Sequence, residues 1–257
     1  MMTVTIAVAG KGGTGKTLFA ALTIKYLLER GRTPILAIDG DPSSNLNLAL
    51  GMELRETIGQ IREETQKQVS SGRFQVGISK PDWFEYKVYE CLVEGEGVDL
   101  LAMGRPEGPG CYCAANNMLR QCIDRLGDEY AYVVIDNEAG MEHISRQTTR
   151  DVDYLFILSD PSYRGVIAAA RIAELAQELG TRIGKEYLVI NNVQGELPEV
   201  LENRVKELGV PFLGAIPRDQ AVMECDFEGK PLITLGEDSL VYPAVCRLLD
   251  QAFADSK

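Results

Sequence analysis

Eight residues near the N-terminus, from Gly10 to Thr17, match the spacing GxxxxGK[ST]. Glycine-rich loops of this kind turn their backbone N–H groups inward around phosphate oxygens, a path that residues with a Cβ atom follow poorly. In such a loop Lys16 reaches the β- and γ-phosphates, and the Thr17 hydroxyl lies on Mg²⁺. The loop also carries a second lysine, Lys11. We expect ATP or ADP to be bound by Gly12, Gly13, Thr14, Gly15, Lys16 and Thr17.

The segments on either side of this loop have the order that a phosphate-binding loop requires. Residues 3–9 form an apolar run typical of a buried strand, and residues 17–30 have the pattern of a helix. The N-terminus of that helix would face the phosphates, where free N–H groups and the helix dipole favour negative charge. A glycine turn that connects a strand to a helix by chance would rarely match all eight positions of the motif, so nucleotide binding is the better interpretation.

Two aspartates, Asp39 and Asp41, follow the second apolar strand in the segment Ile-Asp-Gly-Asp-Pro. Parallel strands bring their carboxyl ends to one edge of a sheet, so these side chains are expected beside the phosphate loop. Transfer of a phosphoryl group to water depends on positioning the water and stabilising charge. We therefore predict that Asp41 orients or deprotonates the water and that Asp39 supports the magnesium network. Turn chemistry is the alternative, because Asp, Gly and Pro all favour turns.

A third aspartate, Asp136, closes the apolar strand at residues 131–135. This is the usual Walker B arrangement, in which the carboxylate reaches Mg²⁺ directly or through water. Gly140 follows, in a loop expected to respond to the γ-phosphate by ordering or disordering. Glu138 has two equally good interpretations, a solvated charge or a part of that switch.

Two residues after later strands are candidates for binding the nucleotide base. Asn191 follows the strand at residues 186–190, and its amide donates and accepts as the edge of adenine does. An isolated Asn is more often a cap or a turn residue, which is the alternative here. Pro217 follows the strand at residues 211–216 and is expected to pack against the base, together with Arg218 and Asp219.

The remaining pattern predicts an α/β fold, a mostly parallel sheet of about seven or eight strands with helices on both faces. Strands are expected at 34–38, 98–102, 131–135, 154–158, 186–190 and 211–216, and helices at 44–50, 55–69, 114–126, 163–179, 198–208 and 239–254. Without an obvious linker, residues 1–257 are expected to form a single domain. Residues 69–110 are the least regular part, and we assign them no function.

The composition of the chain limits the classes of partner that it can bind. The formal net charge is −12, which argues against a broad nucleic-acid surface because that surface needs clustered Lys and Arg. No apolar stretch is long enough to cross a membrane, no signal peptide is evident, and the C-terminal helix lacks the basic face of a membrane-surface helix. We therefore expect a cytoplasmic protein that binds neither nucleic acid nor membrane. Its six cysteines are then better interpreted as core thiols, ligands or redox groups than as disulfides.

Lys11, Lys16, the Asp-Gly-Asp-Pro turn, Asp136 and Asn191 occur in an order that resembles the deviant Walker A ATPases. That group includes the MinD cell-division ATPase, the ParA partition ATPases and the nitrogenase iron protein. The resemblance implies a homodimer that encloses nucleotide, in which Lys11 crosses to the partner's phosphates. Lys11 would then neutralise charge in the transition state, much as an arginine finger does.

A Cys-x-Cys pair, Cys111 and Cys113, indicates which subfamily of that group the chain resembles. Two thiolates are too few for a closed tetrahedral site, but two chains related by a two-fold axis would supply four. Thiolate ligands suit Zn²⁺ and also hold Ni²⁺, so they do not name the metal. Together with Gly140-Met-Glu-His143, the pair resembles the CooC-type nickel-insertion ATPases that mature carbon monoxide dehydrogenase, and equally their AcsF-type relatives that serve acetyl-CoA synthase.

The resemblance implies an ATP-dependent metallochaperone for one of these nickel enzymes. A nitrogenase-iron-protein function is disfavoured because residues 136–140 contain no cysteine to hold a cluster. A MinD- or ParA-like positioning function is disfavoured because such an ATPase binds a membrane or DNA, and this sequence offers a surface for neither. A metal store or sensor gated by nucleotide stays open as an alternative. His143, the only histidine, is better explained by a helix start or a partner contact than as a ligand. Core packing is the better interpretation for Cys91, Cys122, Cys225 and Cys246.

Overall fold

The computed structural model describes residues 3–61, 63–64, 80–104, 121, 123–138, 151–178 and 182–254. Seven strands in these ranges pair side by side, and all of their pairings are parallel. They are β1 (Val4–Gly10), β2 (Ile35–Asp39), β3 (Val98–Ala102), β4 (Tyr132–Asp136), β5 (Asp151–Ser159), β6 (Arg182–Val193) and β7 (Phe212–Pro217). This confirms the predicted parallel α/β sheet.

The strand order is β3-β2-β4-β1-β5-β6-β7, which places β1 in the middle of the sheet. Register brings Val8 of β1 beside Asp136 of β4, and Asp136 beside Asp39 of β2. The end of β1, which leads into the glycine-rich loop, therefore lies next to two carboxylates. The sheet order alone assembles the phosphate loop and the acidic residues at one edge.

Seven helices with described bounds accompany these strands. They are α1 (Lys16–Glu29), α2 (Leu46–Leu50), α3 (Lys80–Glu90), α4 (Tyr163–Glu178), α5 (Glu199–Glu207), α6 (Gln220–Glu228) and α7 (Val241–Ala254). Residues 58–61, 63–64, 121 and 123–127 are also helical, and Leu232–Thr234 form a short 3₁₀ helix. In the described ranges no helix has the length and apolar character to cross a membrane.

Two apolar cores lie on opposite faces of the sheet, as a parallel sheet requires. One packs α1, α2 and α7 against the sheet, with Phe19, Leu22 and Val245 fully or almost fully buried. The other packs α3, α4 and α5 against the reverse face. The middle strands are buried on both sides, which explains why their sequences are continuous apolar runs instead of alternating ones.

Two helices differ from the predicted elements. Helix α3 lies inside residues 69–110, which the sequence marked as the least regular part, and its Trp83 and Val88 join a core. Helix α6 was not predicted at all, because only Cys225 among its residues is buried. Its nine residues are bounded instead by local signals, an Asp219 N-cap and a left-handed Gly229 at the C-terminus.

Candidate nucleotide-binding site

Three hydrogen bonds in the glycine-rich loop converge on the backbone carbonyl of Lys11. The Lys11 oxygen accepts hydrogen bonds from the Thr14 hydroxyl at 2.8 Å, from the Thr14 N–H at 3.4 Å and from the Lys16 ammonium at 3.4 Å. Thr14 and Lys16 are buried, whereas the Lys11 side chain is exposed with Gly12 and Gly13. The two lysines therefore differ in environment: Lys16 is folded into the loop and Lys11 projects from it.

Helix α1 begins directly at the loop, with Gly15 as its N-cap residue. Gly15 has a left-handed backbone (φ 88°) and, being glycine, offers no side chain to cap the helix. The first N–H groups of a 14-residue helix are thus left for a ligand, and the helix dipole adds positive potential there. These are the properties of an anion site, and they match the phosphate binding predicted for residues 12–17.

Thr17 and Asp136 join the loop to the neighbouring strand β4. The Thr17 hydroxyl donates to Asp136 Oδ2 at 2.6 Å, while the buried Oδ1 of Asp136 has no hydrogen-bond partner among the residues that the structure describes. Burial raises the pKa of Asp136 to about 7, with a further increase from Asp39, and the Thr17 bond opposes this. A hydroxyl beside an unsatisfied buried carboxylate oxygen fits Mg²⁺, which takes oxygen ligands and would stabilise the charged form. Thr17 and Asp136 would hold that ion.

Asp39 is fully buried at the end of β2. Its Oδ1 accepts the N–H of Asp41 at 3.0 Å, and its Oδ2 accepts the N–H of Leu46 at 2.9 Å. Burial raises its pKa to about 6, although these N–H groups favour the charged form. Asp39 thus holds both ends of the segment that carries Asp41. The sequence predicted support for a magnesium network, and the observed bonds add a role in fixing this loop.

Asp41 lies at the same edge but is partly exposed. Its Oδ1 accepts the N–H of Ser43 at 2.8 Å, the local bond that an aspartate makes when it begins a turn. The turn chemistry considered for this segment is therefore present. It is compatible with the predicted role in orienting water, because the bond to Ser43 uses only one of the two carboxylate oxygens of Asp41.

Asn137 is a buried polar residue that the sequence interpretation did not select. Its backbone N–H and its side-chain Nδ2 both donate to the carbonyl of Val8, at 3.1 and 2.9 Å, and its buried Oδ1 has no partner within the described part of the chain. The link ties the start of the loop after β4 to the end of β1. A polar residue directly after an apolar strand was the available signal, and it was obscured by the adjacent Asp136.

The candidate base site lies on the other side of β1. A cavity of about 1110 Å³ extends from Gly13, Gly15 and Thr17 to Asn191, Pro217 and Arg218. Asn191 is 8% exposed, and its Nδ2 donates to the carbonyl of Thr14 at 2.9 Å. Asn191 therefore lies beside the phosphate loop with its amide donor directed to the loop itself, and Pro217 lines the same cavity. Contact with adenine stays a prediction.

Several predicted residues lie outside the described ranges: Cys111, Cys113, Cys122, Gly140 and His143. In the ranges that are described, no group of three or more His, Cys, Asp or Glu residues is arranged to hold a metal ion. Cys91 and Cys225 are buried, as expected for core thiols, and Cys246 is half-buried on α7. The predicted Cys111–Cys113 metal site is not tested by these residues.

The sequence has extensive similarity to known nucleotide-binding proteins. The CobQ/CobB/MinD/ParA nucleotide-binding domain family matches residues 5–232. An uncharacterized ATP-binding protein of Methanocaldococcus jannaschii is 47% identical over 240 residues, which cover 93% of this chain and 94% of the relative. The carbon monoxide dehydrogenase accessory protein CooC of Rhodospirillum rubrum is 30% identical over 241 residues, with 87% of each chain covered.

The fold is similar to that of a cell-division ATPase. The crystal structure of MinD from Pyrococcus furiosus has a TM-score of 0.68 with this chain at 22% sequence identity, and 98% of this chain and 99% of that chain are covered. At this identity the likeness concerns the fold alone.

Proposed function

As a member of the CobQ/CobB/MinD/ParA family of nucleotide-binding proteins, the chain is a P-loop ATPase, and we propose that it is an ATP-dependent metallochaperone. Its task would be to assist nickel insertion into carbon monoxide dehydrogenase or acetyl-CoA synthase. The observation that carries the proposal is the 30% identity with the carbon monoxide dehydrogenase accessory protein over 87% of both chains. The Cys111–Cys113 pair supports it, because a metal carrier needs ligands that hold and release its cargo.

The arrangement around the loop supports hydrolysis of ATP to ADP and phosphate. Water would attack the γ-phosphorus and the bond to the β-phosphate oxygen would break, while Lys16 and the N–H groups of α1 stabilise negative charge. Asp41 would orient the water and accept its proton. Mg²⁺, when bound by Thr17 and Asp136, would add charge stabilisation.

A homodimer would complete two sites at once. Lys11 is exposed at the loop, which supports a contact with the phosphates of a second molecule. Cys111 and Cys113 of two chains would provide four thiolates for Ni²⁺ or Zn²⁺. Because both sites would depend on the same pairing of chains, nucleotide occupancy and metal affinity would be thermodynamically linked.

Native mass spectrometry with metal analysis tests this proposal. The protein is measured without nucleotide, with ADP and with ATP, each with Ni²⁺ or Zn²⁺. We expect about one ion per two chains and its loss when Cys111 and Cys113 are both changed to Ser. Cys246→Ser is the matched control and should keep the ion. Stoichiometric binding retained by the double variant would exclude the shared site.

Two other functions make different predictions. A metal store would bind the ion, but neither metal nor client would accelerate hydrolysis, and no nickel would reach the apo-enzyme. A MinD- or ParA-like positioning ATPase, which the family match also supports, would bind anionic vesicles or DNA in the ATP state. Activation of apo-carbon monoxide dehydrogenase by the nickel-loaded protein and ATP separates the chaperone from both.

A further inference from the structure

A groove lined by exposed apolar side chains lies beside the candidate base site, with which it shares Pro217 and Arg218. Three of its lining residues are Met223, Phe227 and Leu240, which are 40%, 84% and 61% exposed. The groove has a volume of about 590 Å³. Scattered apolar residues are normal on a surface, but a cluster with a polar rim marks a binding site for another molecule.

The two walls of this groove are fixed to each other by Asp219. Its Oδ1 accepts the N–H of Ala221 at 3.0 Å, and its Oδ2 accepts the N–H groups of Leu240 and Val241 at 2.6 and 3.2 Å. One carboxylate therefore caps α6 and holds the start of α7 beside it. Because the walls are already in place, a ligand would bind without first ordering them, which favours affinity.

The charge around the groove identifies the kind of partner. Glu224 lines the groove, and five further exposed acidic residues lie within three positions in sequence of residues that line it: Glu196, Asp226, Glu228, Glu237 and Asp238. The basic residues there are Arg218 and Lys230, and Lys230 is paired with Glu228. Such a rim attracts a basic ligand and repels anionic lipid and nucleic acid.

We propose that this groove binds a basic amphipathic helix of a partner protein. The apolar face of the helix would cover Met223, Phe227 and Leu240, and its Lys and Arg residues would meet the acidic rim. Phe227 is the expected anchor, because exposed aromatic side chains contribute most of the binding energy of many interfaces. The proposal does not depend on Cys111 and Cys113, so a failure of the metal-site proposal would not affect it.

The groove shares lining residues with the nucleotide cavity. Pro217, Arg218 and Met223 line both, and Arg218 Nη2 lies 3.7 Å from the Met223 sulfur. A nucleotide base that moves Arg218 would therefore alter the apolar wall of the groove. By linkage, ATP would change the affinity for the helix by the same factor as the helix changes the affinity for ATP.

The test uses two labelled peptides of about 18 residues with the same leucine face at helical spacing. One peptide has lysine at its other positions and the second has glutamate. We expect saturable binding of the lysine peptide by fluorescence anisotropy, with Kd at least tenfold lower than that of the glutamate peptide. The double variant Phe227→Ser/Leu240→Ser should raise that Kd about tenfold or more. Val200→Ser, at an 81% exposed apolar position on α5, should leave it unchanged.

Three results would overturn the proposal. Equal binding of the two peptides would show that charge does not select the partner. Unchanged affinity in the double variant would place the peptide elsewhere on the acidic surface. Self-association of the wild-type chain that the double variant abolishes, or binding of the groove to anionic vesicles, would assign the surface to a second copy or to a membrane.

The peptide Kd with and without ATP tests the linkage between the groove and the nucleotide site. An unchanged Kd would exclude that linkage.

Discussion

The amide nitrogen of Asn191 lies 2.1 Å from the point that a Cβ atom on Gly15 would occupy. The close approach is possible only because residue 15 has no side chain, and it allows Asn191 to donate to the Thr14 carbonyl. Strand β6 is thereby attached directly to the phosphate loop. The absence of a side chain at Gly15 thus serves both the left-handed backbone and the position of the candidate base site.

Gly15→Ala should weaken ATP binding more than Gly13→Ala does. Both residues have positive φ, 88° and 81°, so both variants carry backbone strain of about 1–3 kcal/mol. A Cβ at Gly13 meets no described atom within 4 Å, whereas at Gly15 it collides with Asn191. Isothermal titration of ATP gives the difference between the two. The loss in Gly15→Ala/Asn191→Ala should be smaller than the sum of the two single losses, and additive losses in that double-mutant cycle would argue against the collision.

Asp136 should make the nucleotide-free protein less stable as pH rises. Its pKa is raised from 3.8 to about 7 in the folded state, so the folded chain holds a proton that the unfolded chain loses. This proton contributes at most roughly 4 kcal/mol to the free energy of unfolding. The contribution is fully present below about pH 4 and is lost as the pH rises to about 7. Asp136→Asn should flatten this part of the curve from urea unfolding.

Asp128→Asn, at an exposed position, is the control for that measurement and should keep the wild-type slope. An Asp136→Asn curve parallel to the wild type would contradict the assigned proton. Saturating Mg²⁺ and ATP should stabilise the wild type more at pH 8 than at pH 6, because the metal requires the charged carboxylate.

Lys11→Ala should leave ATP affinity within about twofold and slow hydrolysis on the order of a hundredfold or more, if Lys11 acts as an arginine finger does. Its ammonium is exposed, unlike that of Lys16, so its loss should not disturb the folded loop. Lys206→Ala, at an exposed lysine of α5, should keep full kcat. Full activity of Lys11→Ala would exclude catalysis across the dimer.

Mixing two inactive variants gives a stricter test of that arrangement. In a dimer of Lys11→Ala and Asp41→Ala chains, the first chain keeps its Asp41 and receives Lys11 from its partner. One complete site per mixed dimer should restore part of the activity. Mixtures no more active than the separate variants would place Lys11 and Asp41 in one subunit's site.

Asp41→Ala should trap the ATP-bound state, with kcat reduced and ATP affinity retained. Asp39→Asn should give a smaller decrease of the same kind, because Asn keeps one acceptor oxygen while one of the N–H groups of Asp41 and Leu46 loses its partner. Single-turnover hydrolysis separates this effect from binding. Unchanged kcat in Asp39→Asn would show that the Asp41 loop does not need both bonds.

The sequence predicted the sheet well because buried parallel strands are continuous apolar runs, and such runs are visible without homologues. It located Asp39, Asp41 and Asp136 because strand ends converge. It did not indicate that Asp39 would bond the N–H of Leu46, seven residues later. Such a bond depends on how the chain turns after the strand. Helix α6 was missed for a related reason: it exposes most of its surface, so its apolar period is weak.

The central position of β1 has a consequence for the history of such a protein. The strands on one side of it, β4 and β2, carry the carboxylates that we predict to act on the phosphates, and β6 and β7 on the other side carry Asn191 and Pro217, which we predict to bind the base. The residues predicted for hydrolysis and those predicted for base recognition therefore occupy separate halves of one sheet. Mutations that alter the preferred base can accumulate in the second half while the hydrolytic half is inherited unchanged, so descendants can diversify in regulation without losing turnover.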